Sequence, residues 1–184
     1  SKKVQSIHFD AFESENYPNL AEAGIVIDYN TNAIRPFEPS KKLVKMNNLD
    51  NRVMVLKLFP GITDKIMDAC FDIDGLRGVV LETYGSGNAP SDEQLQKHLS
   101  EYIKSGGIVL NITQCNSGSV VQGKYETSTF FQKVGVISGG DMTTEAAITK
   151  LMYLLGTDYS RIQIIDQLGQ NLVGELTIHD TLED

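Results

Sequence analysis

Three short loops and one buried-looking acid carry the groups in this chain that could do chemistry. The stretch Thr113-Gln114-Cys115-Asn116-Ser117-Gly118-Ser119 gathers hydroxyl, amide and thiol groups. A nucleophilic Cys115 needs a neighbouring base to form its thiolate. His8, His98 and His179 are the histidines, and none stands in a sequence context that marks it as that base. A polar binding contact or a small buried side chain is the competing reading of Cys115. Thr83-Tyr84-Gly85-Ser86-Gly87-Asn88-Ala89-Pro90 sets a serine between two glycines ahead of a helix. Glycine lets backbone N–H groups turn toward an anion, and a helix N-terminus adds positive potential. That reading is a carboxylate or phosphate contact with Asn88 offering its amide; the other is a tight strand-to-helix turn. The loop lacks the third glycine of a dinucleotide fingerprint and the Gly-Lys-Ser/Thr of a P-loop. Ser138-Gly139-Gly140-Asp141-Met142-Thr143-Thr144 offers Asp141 or Thr143 as a helix cap. Glu82 is a charge in an apolar strand, reaching the strand end or pairing with a cation. No loop unites nucleophile, base and orienter, and no metal-ligand spacing occurs. Neither metal nor cofactor is expected.

The elements that must position these loops follow from periodicity. Arg52 to Phe59 is a short apolar run stopped by Pro60-Gly61, which suits a buried strand. Gly78 to Tyr84, Ile108 to Thr113 and Val134 to Ser138 read as further strands. Helices are expected over Ile62–Phe71, Ser91–Lys104, Thr143–Leu155 and about Asp158–Gln167. Ser91 and Gln94 form a possible capping box, and Leu95, Leu99, Tyr102 and Ile103 recur at helical spacing. Ala147, Ile148, Leu151, Met152 and Leu155 make the inward stripe of the third helix. His98 falls on a mostly solvated face, and Glu175 to Asp184 reads as an acidic, solvated tail. Alternating strands and helices imply α/β architecture, a three-layer α/β/α domain with a small parallel sheet of about four strands. Ligands of such sheets sit beyond the carboxyl ends of the strands.

The first fifty residues differ. They hold Pro18, Pro36 and Pro39, short extended stretches such as Gly24-Ile25-Val26-Ile27, and polar joins such as Asn30-Thr31-Asn32. An ordered arm is expected, with one short helix turn near Leu20-Ala21-Glu22. Phe9, Phe12, Tyr17, Leu20, Ile25 and Ile27 make it too apolar for a loose linker. The expected division is residues 1–50 as connector and 51–184 as an α/β domain.

Composition narrows the function classes. The 184 residues are 41% hydrophobic and 22% charged, enough to bury a core. Net charge is −8 and no basic block exists, which argues against nucleic acid as the main partner. No apolar run reaches the roughly 18 residues of a membrane span, and the start carries no apolar leader segment. Cys70 and Cys115 are far apart and neither belongs to a CxxC pair, so a disulfide framework is not expected and a reducing cytoplasm is.

Taken together, the loops carry a resemblance. Ala11-Phe12, Tyr17-Pro18-Asn19-Leu20-Ala21-Glu22-Ala23-Gly24-Ile25, Tyr84-Gly85-Ser86-Gly87-Asn88-Ala89-Pro90, Asn111-Ile112-Thr113-Gln114-Cys115, Gly139-Gly140-Asp141-Met142-Thr143 with Glu145-Ala146, and the final Gln170-Asn171-Leu172-Val173-Gly174-Glu175-Leu176-Thr177 occur in that order. This series resembles the carboxyl-terminal half of the cytoplasmic type I bacterial L-asparaginases. The resemblance implies a parent that hydrolyses L-asparagine to aspartate and ammonia through a threonine-linked acyl-enzyme. In that family an amino-terminal domain carries the catalytic threonines, marked by TGGT and TDT; neither string occurs here. The implied role is therefore connector plus C-terminal domain, without catalytic residues and inactive alone. Its implied partners are its own N-terminal catalytic domain and further copies, as a homodimer or dimer-based tetramer.

The resemblance also implies site residues. Asn88, Thr113 and Cys115 match positions of an asparagine effector site, and Glu82 stands where the regulated relatives place an arginine. A glutamate there repels an effector's carboxylate. Tyr125 and Glu126 match a loop that approaches the active site of a neighbouring subunit; an ordered surface loop is the alternative. Two other functions compete: the asparaginase-like subunit of a tRNA-dependent amidotransferase, and a stand-alone amino-acid-binding regulatory module. The acidic charge speaks against the tRNA-dependent one.

Overall fold

The computed structural model describes residues 1–40, 42–90, 92–121 and 126–178, the side chains of 126–128 excepted. The backbone forms two units, 1–47 and 48–184. In the first, β1 (Lys2–Lys3) pairs antiparallel with β2 (Phe12–Glu13), and β3 (Ala21–Ala23) with β4 (Ile27–Tyr29). The helix turn expected at Leu20–Glu22 is a strand instead. Ala21 and Ala23 pair with Tyr29 and Ile27, and the Gly24 N–H closes the hairpin on the Val26 carbonyl at 3.0 Å. A cross-strand partner satisfies this backbone better than one isolated helical turn, which fixes several dihedrals for one hydrogen bond. The Tyr17 hydroxyl donates to the Ala33 carbonyl, while Phe9, Ile25, Phe37 and Leu43 are exposed.

The second unit is the expected α/β/α arrangement. Its strands are β5 (Val53–Lys57), β6 (Gly78–Thr83), β7 (Ile108–Thr113) and β8 (Ile137–Ser138), all parallel and adjacent in that order. Its helices are α1 (Asp64–Phe71), α2 (Glu93–Lys104), α3 (Glu126–Val134), α4 (Thr144–Leu155) and α5 (Arg161–Leu168). Every residue of β6 and β7 is buried, as their near-continuous apolar runs demand of interior parallel strands. Alternation sends Val79, Leu81 and Val109 to a core with Met67, Leu99, Tyr102 and Phe131. It sends Val80, Leu110 and Ile112 to a core with Ala147, Leu151, Ile164 and Leu168. Both faces are thus covered.

The helix ends obey local chemistry. Asp92 caps α2 by accepting the Gln94 N–H, whereas the expected Ser91 lies outside the described residues. Thr143 caps α4, and Ser160 with Gln163 makes a reciprocal capping box on α5. One element differs from expectation. Val134 ends a helix and does not begin a strand, and β8 is only Ile137–Ser138. Gly135, at φ +93°, stops α3, while the Val136 N–H returns to the Phe131 carbonyl at 2.9 Å.

His98 is also less exposed than the sequence suggests. The His98 side chain is only 12% exposed, stacked on Phe71 with its Nε2 3.4 Å from Asp68. At the amino edge of the sheet, Arg52 and Arg77 both donate to the Asp50 carboxylate at 2.6 Å. The Arg52 guanidinium, chiefly, holds that carboxyl well below the usual carboxylate range.

Candidate functional site

The carboxyl ends of β5 to β8 gather the loops singled out above. After β6, Tyr84 and Asn88 bond across a tight turn: the Tyr84 N–H donates to the Asn88 carbonyl and the Asn88 N–H to the Tyr84 carbonyl, each at 2.8 Å. Gly85 and Gly87 adopt φ of +50° and +108°, a region that side chains strain to enter. The N–H groups of Gly87 and Asn88 point inward to Tyr84, so they do not cradle an anion. The loop is stitched to its neighbours by the Thr113 hydroxyl, which donates to the Gly85 carbonyl at 2.6 Å, and by the Val121 N–H on the Ser86 carbonyl.

After β7, the Cys115 N–H donates to the Thr113 Oγ1 at 3.0 Å, and Cys115 is exposed. Gln114 proves to be a staple. Its Nε2 donates to the carbonyls of Leu58 and Glu82, closing the ends of β5 and β6 together. Asn111 is fully buried one face-turn earlier. Its Oδ1 accepts the Thr83 hydroxyl at 2.7 Å, while its Nδ2 and the Tyr84 hydroxyl have no partner among the described residues. Sequence reading gave Asn111 no role; an asparagine inside an apolar strand is the signal that could have found it.

After β8, the Gly139 N–H donates to the Asn111 carbonyl at 2.7 Å, and a Cβ on Gly139 would sit 2.5 Å from the Ile112 side chain. Of the two candidate caps, Thr143 takes the role. Asp141 instead accepts the Thr177 N–H and hydroxyl, at 2.8 and 2.5 Å. The segment leading to Thr177 is no solvated tail. Glu175 pairs with the buried Lys150 at 2.7 Å, and Leu176 is buried. Residues 179–184 lie outside the described residues.

Glu82 resolves into the strand-end charge with a partner. It is 7% exposed, its Oε1 accepts the Thr144 hydroxyl at 2.5 Å, and its Oε2 lies 3.8 Å from the Lys57 ammonium. Alternation places Glu82 on the α4 face beside Val80, and Thr113 on the opposite face with Asn111. Glu82 therefore shares the sheet edge with Asn88, Thr113 and Cys115 but points away from the Thr113 side. Tyr125 lies outside the described residues; Glu126 opens α3, and its side chain lies outside them too. Among the described residues no group of His, Cys, Asp and Glu could hold a metal ion, and no helix is long and apolar enough to cross a membrane.

Fold and edge thus define a covered parallel α/β domain whose loops at the carboxyl edge are fastened to one another. The chain belongs to the Glutaminase/Asparaginase C-terminal domain family, which it matches over residues 52–168. It is 37% identical to L-asparaginase 1 of Escherichia coli (strain K12), over 97% of this chain and 52% of that protein. It is 35% identical to the 60 kDa lysophospholipase of Mus musculus, over 97% of this chain and 32% of that protein. The crystal structure of L-asparaginase I from Vibrio cholerae superposes with a TM-score of 0.89 at 36% identity, over 96% of this chain and 53% of that one. The chain spans about half the length, or less, of the curated relatives that it matches.

Proposed function

We propose that this chain is the C-terminal domain of an L-asparaginase, with residues 1–50 as connector and 51–184 as the α/β domain. The parent hydrolyses L-asparagine to aspartate and ammonia in the cytoplasm, using catalytic groups of an N-terminal domain. What carries the reading is the ordered likeness to asparaginase carboxyl halves across nearly the whole chain, at more than a third identity. The described loops at this edge are bonded to one another, the Thr113 hydroxyl on the Gly85 carbonyl and the Val121 N–H on the Ser86 carbonyl. Copies of the parent associate as a dimer or dimer-based tetramer, with Tyr125 and Glu126 reaching a neighbour's pocket. A tRNA-dependent amidotransferase is disfavoured by the net charge of −8.

Two measurements test this reading. Purified chain should release no ammonia from asparagine above background, and the same chain joined to its N-terminal half should turn over; ammonia release by the isolated chain would sink the assignment. Asn88, Thr113 and Cys115 are proposed to match an effector site that, with Glu82 in place of the arginine, has been lost or has changed its ligand. Titrating asparagine into the joined protein by calorimetry should therefore show only the catalytic site filling. A second binding event that changes activity would reverse this conclusion.

A further inference from the structure

We infer that the pocket between α4 and α5 is a binding site for an uncharged aromatic small molecule. The pocket has a volume of about 670 Å³ and is walled by α4, α5, Leu49 and the segment 172–175. That lies within the roughly 300–1,000 Å³ of small-molecule sites. Helix α4 carries two stripes. Ala147, Leu151 and Leu155 pack in the core with Val80 and Leu110 of the sheet. Ala146, Lys150 and Tyr153 recur at helical spacing one residue round and line the pocket. Leu154 at its inner end is fully buried, whereas Leu49, Tyr159 and Val173 are exposed, so the pocket runs from solvent down to the core. Apolar groups exposed together round a concave site mark a surface made for contact, unlike single ones scattered over a surface.

The chemistry of the wall selects the ligand. Lys150 and Glu175 line the pocket as a buried pair, 2.7 Å apart. The three protons of the Lys150 ammonium are engaged by Glu175 and by the Leu168 and Gln170 carbonyls. The Glu175 carboxylate accepts that ammonium and the N–H groups of Leu172 and Val173. An anion therefore finds no free donor on the cation, and a cation finds a carboxylate already neutralised. A ligand of either sign would give up its water without compensation. The rest of the wall is neutral: aliphatic Leu154, Leu172 and Val173, the rings of Tyr153 and Tyr159, and the Gln167 carboxamide. Two phenol rings beside aliphatic groups suit a flat ring, stacked or edge-on, and their hydroxyls can exchange a hydrogen bond with it. The pocket uses none of the loops at the carboxyl edge of the sheet, so it stands whether or not the parent hydrolyses asparagine.

The probe is indole. The chain has no tryptophan, so indole emission reports on the ligand alone. Titrated into the chain, indole should bind saturably with a blue-shifted emission and a dissociation constant on the order of 0.1–1 mM, the weak range of so small a ligand. Indole-3-acetate and tryptamine carry the same ring with a negative and a positive arm, and each should bind about tenfold more weakly or worse. Ala146→Leu fills the pocket from α4 and should abolish saturation. Tyr159→Ala, at an exposed position whose loss the fold tolerates, should weaken indole about threefold or more. Equilibrium dialysis should find the same site on the chain joined to its N-terminal half. The inference is overturned by any of four results. These are no saturable binding to the chain, equal binding of the charged relatives, unchanged binding by Tyr159→Ala, and loss of the site on joining, which would show that the N-terminal half fills it.

Discussion

Lys150→Met is expected to destabilise the 48–178 unit by about 3–5 kcal/mol at pH 7, the range for breaking a buried ion pair by removing one partner. Lys150 sits on α4 with 6% exposure. Its ammonium donates to the carbonyls of Leu168 and Gln170 at 3.1 and 2.5 Å and pairs with Glu175 at 2.7 Å. Glu175 in turn accepts the N–H groups of Leu172 and Val173. One cation therefore fastens the segment after α5 onto α4, and that segment fastens the β8–α4 loop through Asp141 and Thr177. Methionine fills the space of the stem but leaves a carboxylate and two carbonyls without their donor.

The pH dependence separates this account from simple misfolding. Burial alone would raise the Glu175 carboxyl, but the Lys150 ammonium and the N–H groups of Val173 and Leu172 more than reverse that, leaving it below its ordinary value. A carboxyl lowered on folding contributes stability above its unfolded value, near 4.3, and loses it as pH falls through the folded one. In Lys150→Met the cation is gone, so the carboxylate is a liability at neutral pH and a tolerable neutral acid once protonated. The deficit against the unsubstituted chain should shrink between about pH 7 and pH 4, read as urea midpoints. Lys150→Met combined with Glu175→Leu should recover most of the loss, because an apolar pair needs no donor. A double variant no more stable than the single one would count against the ion pair as the cause.

That pair shows where sequence reading stops. The strands β6 and β7 were legible because interior parallel strands must be continuous apolar runs. Helices α2 and α4 were legible because Leu95, Leu99 and Tyr102, and Ala147, Leu151 and Leu155, recur at helical spacing and are buried as expected. Nothing in the sequence beside the second stripe marks Lys150, since the acid and carbonyls that accept from it come from the end of the next helix and the segment after it. Glu82 was visible as an anomaly, yet its Thr144 partner is 62 residues away. The rule for parallel sheets pointed to the carboxyl edge, where the structure gathers these loops, but which side chains face each other there follows from strand register, which periodicity does not give. The same limit hid α3. Thr127-Ser128-Thr129 has hydroxyl groups that compete for the backbone, and adjacent Phe130-Phe131 offers no stripe at helical spacing.

Phe131 is the residue that makes that hidden helix necessary. It is 1% exposed and packs in the core with Leu99, Tyr102, Val109 and Val136, against Phe130 edge-on at 6.3 Å. Phe131→Ala is expected to cost about 3–5 kcal/mol, the transfer term plus the cavity left between α2 and β7. Phe130→Ala, at a partly buried position, should cost clearly less. The functional consequence runs through α3, because Glu126 is its first residue. If Glu126 completes a neighbour's pocket in the joined enzyme, loosening α3 should lower kcat/KM there, as Glu126→Gln does directly, even where both variants remain folded. Should Glu126→Gln leave kcat/KM unchanged while Phe131→Ala lowers it, the fall belongs to the stability of the domain, and Glu126 is a surface residue of a well-anchored helix.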